Sequence, residues 1–365
     1  MRGVGVRVLI ALLALPSAAH GWELRAVDDK RVGTVVVASD VFRLQSPEWP
    51  SPTVVTDPAA LASVTADTLA YLEAMGSTDP AADSGMFAEL GVTPAQFVAT
   101  LELIHTTAVE RPELLSDPAW LGAHFDVYRW SPPRSDSRVS RFRLGPEEIR
   151  VTRYLTSQMF GAATADAGKP QALYADPGAP WRTEYTRAEV MDGAYARGPD
   201  AGRARPLVWL SEANVHEAIM QGSVQVRLPD QSTHTYGVDV SNGIAYVPGH
   251  SGRTQDRYWY FKELTAGPRG WGPPGSPEIH LRAGVSVAGD VYDLGVGAVI
   301  LIEHGDGHGG TTLRLAILAD SGGAFQPNLC QLDWYGGAFP SHEALYASWA
   351  SLPEHVRASV LIARP

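Results

Sequence analysis

Thiol chemistry is all but absent from this chain of 365 residues: its single cysteine is Cys330. No disulfide can form within the chain, and no site can be built on clustered thiolates. Lysine is nearly as scarce, with Lys30, Lys169 and Lys262 the only three among 29 basic residues, against 40 acidic ones. The formal charge of −11 argues against nucleic acid, whose phosphates need Lys and Arg to neutralise them. It argues equally against a grip on anionic lipid. No apolar run beyond the first 21 residues is long enough to span a bilayer. A Gly-x-Ser-x-Gly elbow, an HExxH pair and a Gly-rich phosphate loop ending in Gly-Lys-Ser/Thr are also missing. No internal repeat stands out.

Glycine (36), proline (27) and 45% hydrophobic residues describe a globular chain with many turns and few long helices, and lean towards β. Arg2 and Arg7, the apolar run 8–15 and the small residues from Pro16 to Gly21 predict a cleaved export leader with no nearby lipid-bearing cysteine. Without it, 27 basic residues face 40 acidic ones, or −13.

β-like runs at 34–38 and 41–44 come first. Asp57-Pro58, with Leu61, Val64, Leu69, Leu72 and Met75 on one face and Gly76 beyond, predicts a capped helix. Thr93-Pro94 with Phe97, Leu101, Ile104 and Ala108 predicts a second, and 117–128 a third. From Val139 the pattern turns to strands, with Phe142 and Leu144 and then Ile149, Val151 and Tyr154 reading as a hairpin. Thr186 with Glu189 is a capping box. Residues 224–228 alternate as a strand that Pro229-Asp230-Gln231 turns back, and 258–261 form an aromatic strand. Residues 298–303 and 311–319 pair as a hairpin across HGDGHGG, the second reading as half-buried, and the C-terminus reads as helix then strand.

The stretch 311–337 carries the strongest chemical signal. Its strand ends on Asp320 before Ser-Gly-Gly, and Asp333 sits between Leu332 and Trp334-Tyr335-Gly336-Gly337. An acid at a strand end before a glycine turn places a carboxylate at the rim of a cleft, although aspartates also cap turns routinely. The turn itself reads as a place where backbone passes close beside that cleft. Asp290 is a third acid beside a strand. If the three converge, burial and like charge raise at least one pKa and supply a general acid. Trp334, Tyr335, Tyr258, Trp259 and Tyr260 are of the type that stacks on sugars, yet aromatics in strands are more often core. His304, Asp306 and His308 are metal-ligand types, but glycines alternate with them at a hairpin tip, which reads as a solvated turn. Cys330 reads as a small buried apolar residue.

These motifs, in order, resemble the membrane-bound lytic transglycosylase A (MltA) family with its C-terminal three-aspartate "3D" domain. SVAGD ending at Asp290, ADSGGA around Asp320 and DWYGG from Asp333 carry the resemblance, with VTRY, ALYADP, YTRAEV, MQGSVQVRLPD, SNGIAY and YWYFK upstream and VRASVLIARP at the end. The resemblance implies a mainly β (α+β) chain: a double-psi β-barrel domain from both chain ends (22–148 and 257–365), with N-terminal helices, and a smaller β-rich domain inserted at 149–256. It implies a monomeric enzyme, exported to the periplasm, that cleaves peptidoglycan glycan strands without cofactor or metal and leaves 1,6-anhydro ends. Asp333 would be the acid and base, Asp320 and Asp290 its setting, and Tyr154, Gln221, Gly222 and Ser223 sugar contacts. Arg153 and Leu155 replace a Gly and a Tyr of the family pattern, Val224 replaces a Gly, and a helical segment between Tyr246 and Tyr258 is nearly absent. These departures point at substrate binding, and leave a catalytically silent glycan-binding protein as the alternative.

Overall fold

The computed structural model describes residues 36–365 apart from Pro47, Ser77, Gly198, Pro199, Pro248, Gly249 and Gln326. The predicted leader, 1–21, and the start of the run at 34–38 lie outside the described residues. Among the described residues no helix is long and apolar enough to cross a membrane.

The strands, in chain order, are β1 (Phe42–Gln45), β2 (Pro52–Val55), β3 (Phe125–Trp130), β4 (Glu148–Phe160), β5 (Gln171–Tyr174), β6 (Pro206–Leu210) and β7 (Ser223–Arg227). They continue with β8 (Thr233–Ser241), β9 (Trp259–Leu264), β10 (Ser286–Ala288), β11 (Val299–Gly305), β12 (Thr311–Asp320), β13 (Gln331–Phe339) and β14 (His355–Ala363). All but β5 and β6 belong to one mixed sheet of 12 strands. Within it, β14 pairs with β11, β11 with β12, β12 with β10, β10 with β13, β13 with β4, and β4 with β14 again. Six strands from two distant stretches thus pair in a closed circuit. The structure assigns them to one continuous sheet and not to a separate barrel, so the double-psi form goes beyond what the pairings state. The mainly β character with several helices agrees with the expectation.

β4 joins the circuit to the middle of the chain. Its first half runs beside β13, and its last residues pair with β7, which leads on to β8 and β9. Apolar side chains follow this division. Leu173, Val208, Val224, Val226 and Phe261 form one small core and Tyr174, Tyr195, Tyr258 and Tyr260 another, apart from the main core that lines the circuit.

Two long helices cover the circuit. Asp57 accepts from the Ala60 N–H at 3.0 Å to start Pro58–Met75, and Thr93 and Gln96 form a reciprocal capping box before Pro94–Glu110. Leu61, Val64 and Tyr71 of the first and Leu101 and Ile104 of the second are fully buried. Because Asp57 satisfies an otherwise orphaned N–H at an exposed helix start, Asp57→Ala is expected to cost about 1 kcal/mol, read as a lower urea midpoint with unchanged m.

Several local expectations change. The third helix is Pro118–His124 and stops where β3 begins, because β3 is needed between β1 and β14. Residues 139–144 are no hairpin: Asp136 caps a helix at Ser137–Phe142 with the Arg138 N–H. Around residue 40 the run divides into the helix Ala38–Val41 and β1. β12 is buried on both faces, Ala316 and Leu318 as much as Leu315 and Ile317, because helices pack outside the circuit.

Candidate functional site

β10 is the meeting point of the three acids. Ala288 is paired with Asp320 of β12 on one side and with Asp333 of β13 on the other. A register shift between Val287 and Ala288 skips Ala319 and brings Asp320 opposite Ala288. Cross-strand partners share a face, so both carboxyl side chains leave the same face, their backbones about 10 Å apart at two strand spacings. A Cβ at Gly289 would lie 2.7 Å from Leu332 Cδ2 and 3.0 Å from Leu318 Cδ1, pressing on buried leucines of the strands that carry the two acids.

Each acid is held differently. Asp290, buried, caps the short helix Val291–Leu294: its Oδ1 accepts from the N–H groups of Tyr292 at 3.2 Å and Asp293 at 3.1 Å, and its Oδ2 from that of Asn328 at 2.9 Å. It therefore ties β10 to the loop entering β13. Both oxygens of Asp320 are engaged, Oδ2 by the Tyr154 hydroxyl at 2.8 Å and Oδ1 by the Ser321 N–H at 2.8 Å. Burial pushes its pKa up to about 7 against those two hydrogen bonds, and the neighbouring charge of Asp333 adds to the rise. Asp333 differs: its Oδ1 is out of reach of water and has no hydrogen-bond partner. Burial raises its pKa to about 6, opposed by the Thr152 hydroxyl and by positive charge at Arg150 and His342.

Tyr154 comes to the acids through its hydroxyl. Its ring lies 5.2 Å from that of Tyr335, whose hydroxyl is hydrogen bonded to Thr156 at 2.9 Å. Thr156 in turn meets the Ser223 hydroxyl at 2.8 Å. Gln221 accepts from the Leu155 N–H at 3.4 Å and contacts His342 Nε2 at 3.2 Å. Gly222 closes the helix Glu212–Gln221 at φ 76°, a left-handed cap that lets the chain turn straight into β7 and Ser223. Hydrogen bonds and one ring contact thus lead from Asp320 through Tyr154, Tyr335 and Thr156 to Ser223. Sequence reasoning missed Thr152, Thr156, His342 and Glu217, the last taking a hydrogen bond from Ser157 at 3.1 Å. The alternation of Thr152, Tyr154 and Thr156 along VTRYLT was the available signal for two of them.

The altered family positions point elsewhere. Arg153 is buried on the opposite face of β4, where it donates to the carbonyls of Trp349 and Leu352 and lies over the Tyr346 ring. Leu155 and Val224 are buried apolar residues. All three side chains thus belong to the interior of this chain. Trp334, Tyr258 and Tyr260 are fully buried and unavailable for stacking. The Ser-Gly-Gly turn makes no close approach, since a Cβ on Gly323 would meet nothing within 4 Å. Cys330 is buried beside Val139 and Leu144, its thiol pushed up to about 12 by burial. At the HGDGHGG tip, Asp306 accepts from the N–H groups of His308 and Gly310. Among the described residues no group of three potential ligands is placed to hold a metal ion.

No protein-family model matches the chain, and no curated protein matches it either. Solved structures do. A membrane-bound lytic murein transglycosylase from Agrobacterium tumefaciens is similar at 17% identity and a TM-score of 0.55, over 85% of this chain and 93% of that one. Escherichia coli MltA with bound chitohexaose is similar at 17% identity and a TM-score of 0.55, over 89% and 95%. MltA from Neisseria gonorrhoeae is similar at 14% identity and a TM-score of 0.56, over 91% and 95%. The chain has the fold of the MltA lytic murein transglycosylases.

Proposed function

We propose that the chain is a peptidoglycan lytic transglycosylase cutting the β-1,4 bond between N-acetylmuramic acid and N-acetylglucosamine, with Asp333 as its one general acid and base. The observation that carries this reading is the carboxyl of Asp333, set across β10 from Asp320 and raised by burial to a pKa of about 6. The shared fold, including the relative crystallised with chitohexaose, supports a glycan as the substrate.

Near its pKa about half of the Asp333 carboxyls carry the proton the first step needs. That proton goes to the glycosidic oxygen as the bond to the muramoyl anomeric carbon breaks, and N-acetylglucosamine leaves with a free hydroxyl. The carboxylate then takes the proton of the muramoyl C6 hydroxyl, whose oxygen closes on the anomeric carbon. The proton is returned and no water is consumed. One carboxyl is enough, where hydrolysis through water or a covalent sugar ester calls on two. Asp320 positions Tyr154 and Asp290 holds the loop before β13. The domain limits at 148/149 and 256/257, export to the periplasm and action as a monomer belong to the same proposal. The altered positions in the core favour an active enzyme over the silent glycan-binding alternative.

Incubation with purified sacculi tests it: the protein is expected to release 1,6-anhydro muropeptides and Asp333→Asn is not. Release undiminished in that variant overturns the role of Asp333. A smaller effect is expected at Tyr154. Tyr154→Phe removes a donor to Asp320, so that acid titrates above about 7 and kcat/KM falls about tenfold, the scale of one lost hydrogen bond. A pH profile of kcat/KM is the check, and an unmoved profile contradicts it.

A further inference from the structure

The face of β4 that carries Thr152 and Tyr154 does not end at the acids. Side chains alternate along the strand: Thr152, Tyr154, Thr156, Gln158 and Phe160 share one side, with Thr156 buried and Gln158 and Phe160 exposed. Gln158 and Phe160 pair with Gln225 and Arg227 of β7, and Arg227 pairs with Thr233 of β8. With Pro340 they line a hollow of about 330 Å³. Phe160 lies eight residues from Thr152, about 26 Å along an extended strand. The Thr156–Ser223 and Gln158–Gln225 hydrogen bonds, each 2.8 Å, keep the ledge continuous with the cleft.

Two features of this ledge are unusual for the chain. Phe160 is 70% exposed, a large apolar ring in the open. Arg227 is an exposed cation on an acidic protein, and it has no carboxylate partner among the described residues. Asp230, on the same hairpin, is taken up by the N–H and hydroxyl of Ser232. The other side chains of the hollow are uncharged. Sugar hydroxyls alone would need hydrogen-bonding groups here and no cation, whereas a guanidinium with free donors beside a flat ring suits a carboxylate on an apolar stem.

We infer that this ledge binds a carboxylate-bearing peptide substituent of the glycan strand, several sugars from the scissile bond, so that the enzyme prefers peptide-bearing over stripped glycan. The inference rests on the proposed function for its substrate, but the ledge can be judged separately. The test compares wild type, Arg227→Gln and Arg227→Glu on peptide-bearing glycan and on the same strands stripped of peptide by an amidase, with the lactyl carboxylates that this frees capped as amides. The ratio of kcat/KM between the two substrates is expected to fall about fivefold in Arg227→Glu and less in Arg227→Gln, as for one solvent-exposed charge pair. The fall is expected through KM, and to shrink in high salt. An unchanged ratio, or a fall that salt does not touch, overturns the inference. If the wild type cleaves neither substrate, the proposed function fails, and binding of the two strands to the same variants decides the ledge. Weaker binding of only the peptide-bearing strands to Arg227→Glu supports it, and equal loss or no loss overturns it.

Discussion

Asp333→Asn is expected to lose two to four orders of magnitude in kcat, roughly 10²–10⁴-fold, while folding more stably than the wild type at neutral pH. Both effects have one cause. Burial raises the Asp333 pKa from 3.8 to about 6, outweighing the Thr152 hydroxyl and the positive charge at Arg150 and His342, and Oδ1 has no hydrogen bond. Between those two values the folded state holds more proton than the unfolded state. Stability therefore falls as pH rises through that window and does not recover above it. The cost of the buried carboxylate at pH 7 is at most about 3 kcal/mol, from about 1.4 kcal/mol per pKa unit. Asn does not pay it, so the variant's urea midpoint should exceed the wild-type value near neutrality and converge with it below about pH 4. Equal midpoints at both pH values would mean that the carboxylate is well solvated or paired, and the acid role would lose its physical basis.

The largest expected loss of stability lies far from the acids, at Glu303. This buried carboxylate on β11 is 2.8 Å from Arg129 Nη2 of β3 and is also paired with Arg357 of β14. Arg357 is half-exposed and can return to water, but Arg129 is buried, and its Nε and Nη1 have no hydrogen-bond partner. Glu303→Gln leaves that guanidinium uncompensated, and about 3–5 kcal/mol of stability should go with it. Replacing both residues, as Arg129→Met with Glu303→Leu, removes the charge and its partner together and should restore most of the loss. The urea midpoint of the double variant decides. If it is as low as that of the single variant, packing and not charge is what Glu303 supplies. Activity per folded molecule should hardly change, since Glu303 lies towards the end of the β11–β12 pair away from Asp320.

How far the sequence alone was legible follows from the range of each interaction. Local signals were read well: the Asp57 and Thr93 caps, the Thr186 capping box and the β11–β12 hairpin all depend on residues within a few positions. Residues 117–128 and 139–144 were misread because β3 and the helix at Ser137–Phe142 are set by distant partners, β14 for the one and the Pro327 carbonyl on Arg138 for the other. At the site, the types and order of Asp290, Asp320 and Asp333 were visible. Their convergence was not, because it depends on a register shift beside Ala288 and on a glycine that lets β10 lie between two leucines. The proposed rank of the two strand acids comes from the family resemblance and from no spacing in the chain; in the structure both oxygens of Asp320 are engaged, while Asp333 Oδ1 has no hydrogen bond.

Cleavage of sacculi in water enriched in heavy oxygen, followed by mass analysis of the released ends, tests the central claim most directly. If Asp333 closes the C6 hydroxyl on the anomeric carbon, every new end is a 1,6-anhydro sugar and no heavy oxygen enters. Reducing ends carrying the label would show that water is the nucleophile, and would contradict the single-acid mechanism.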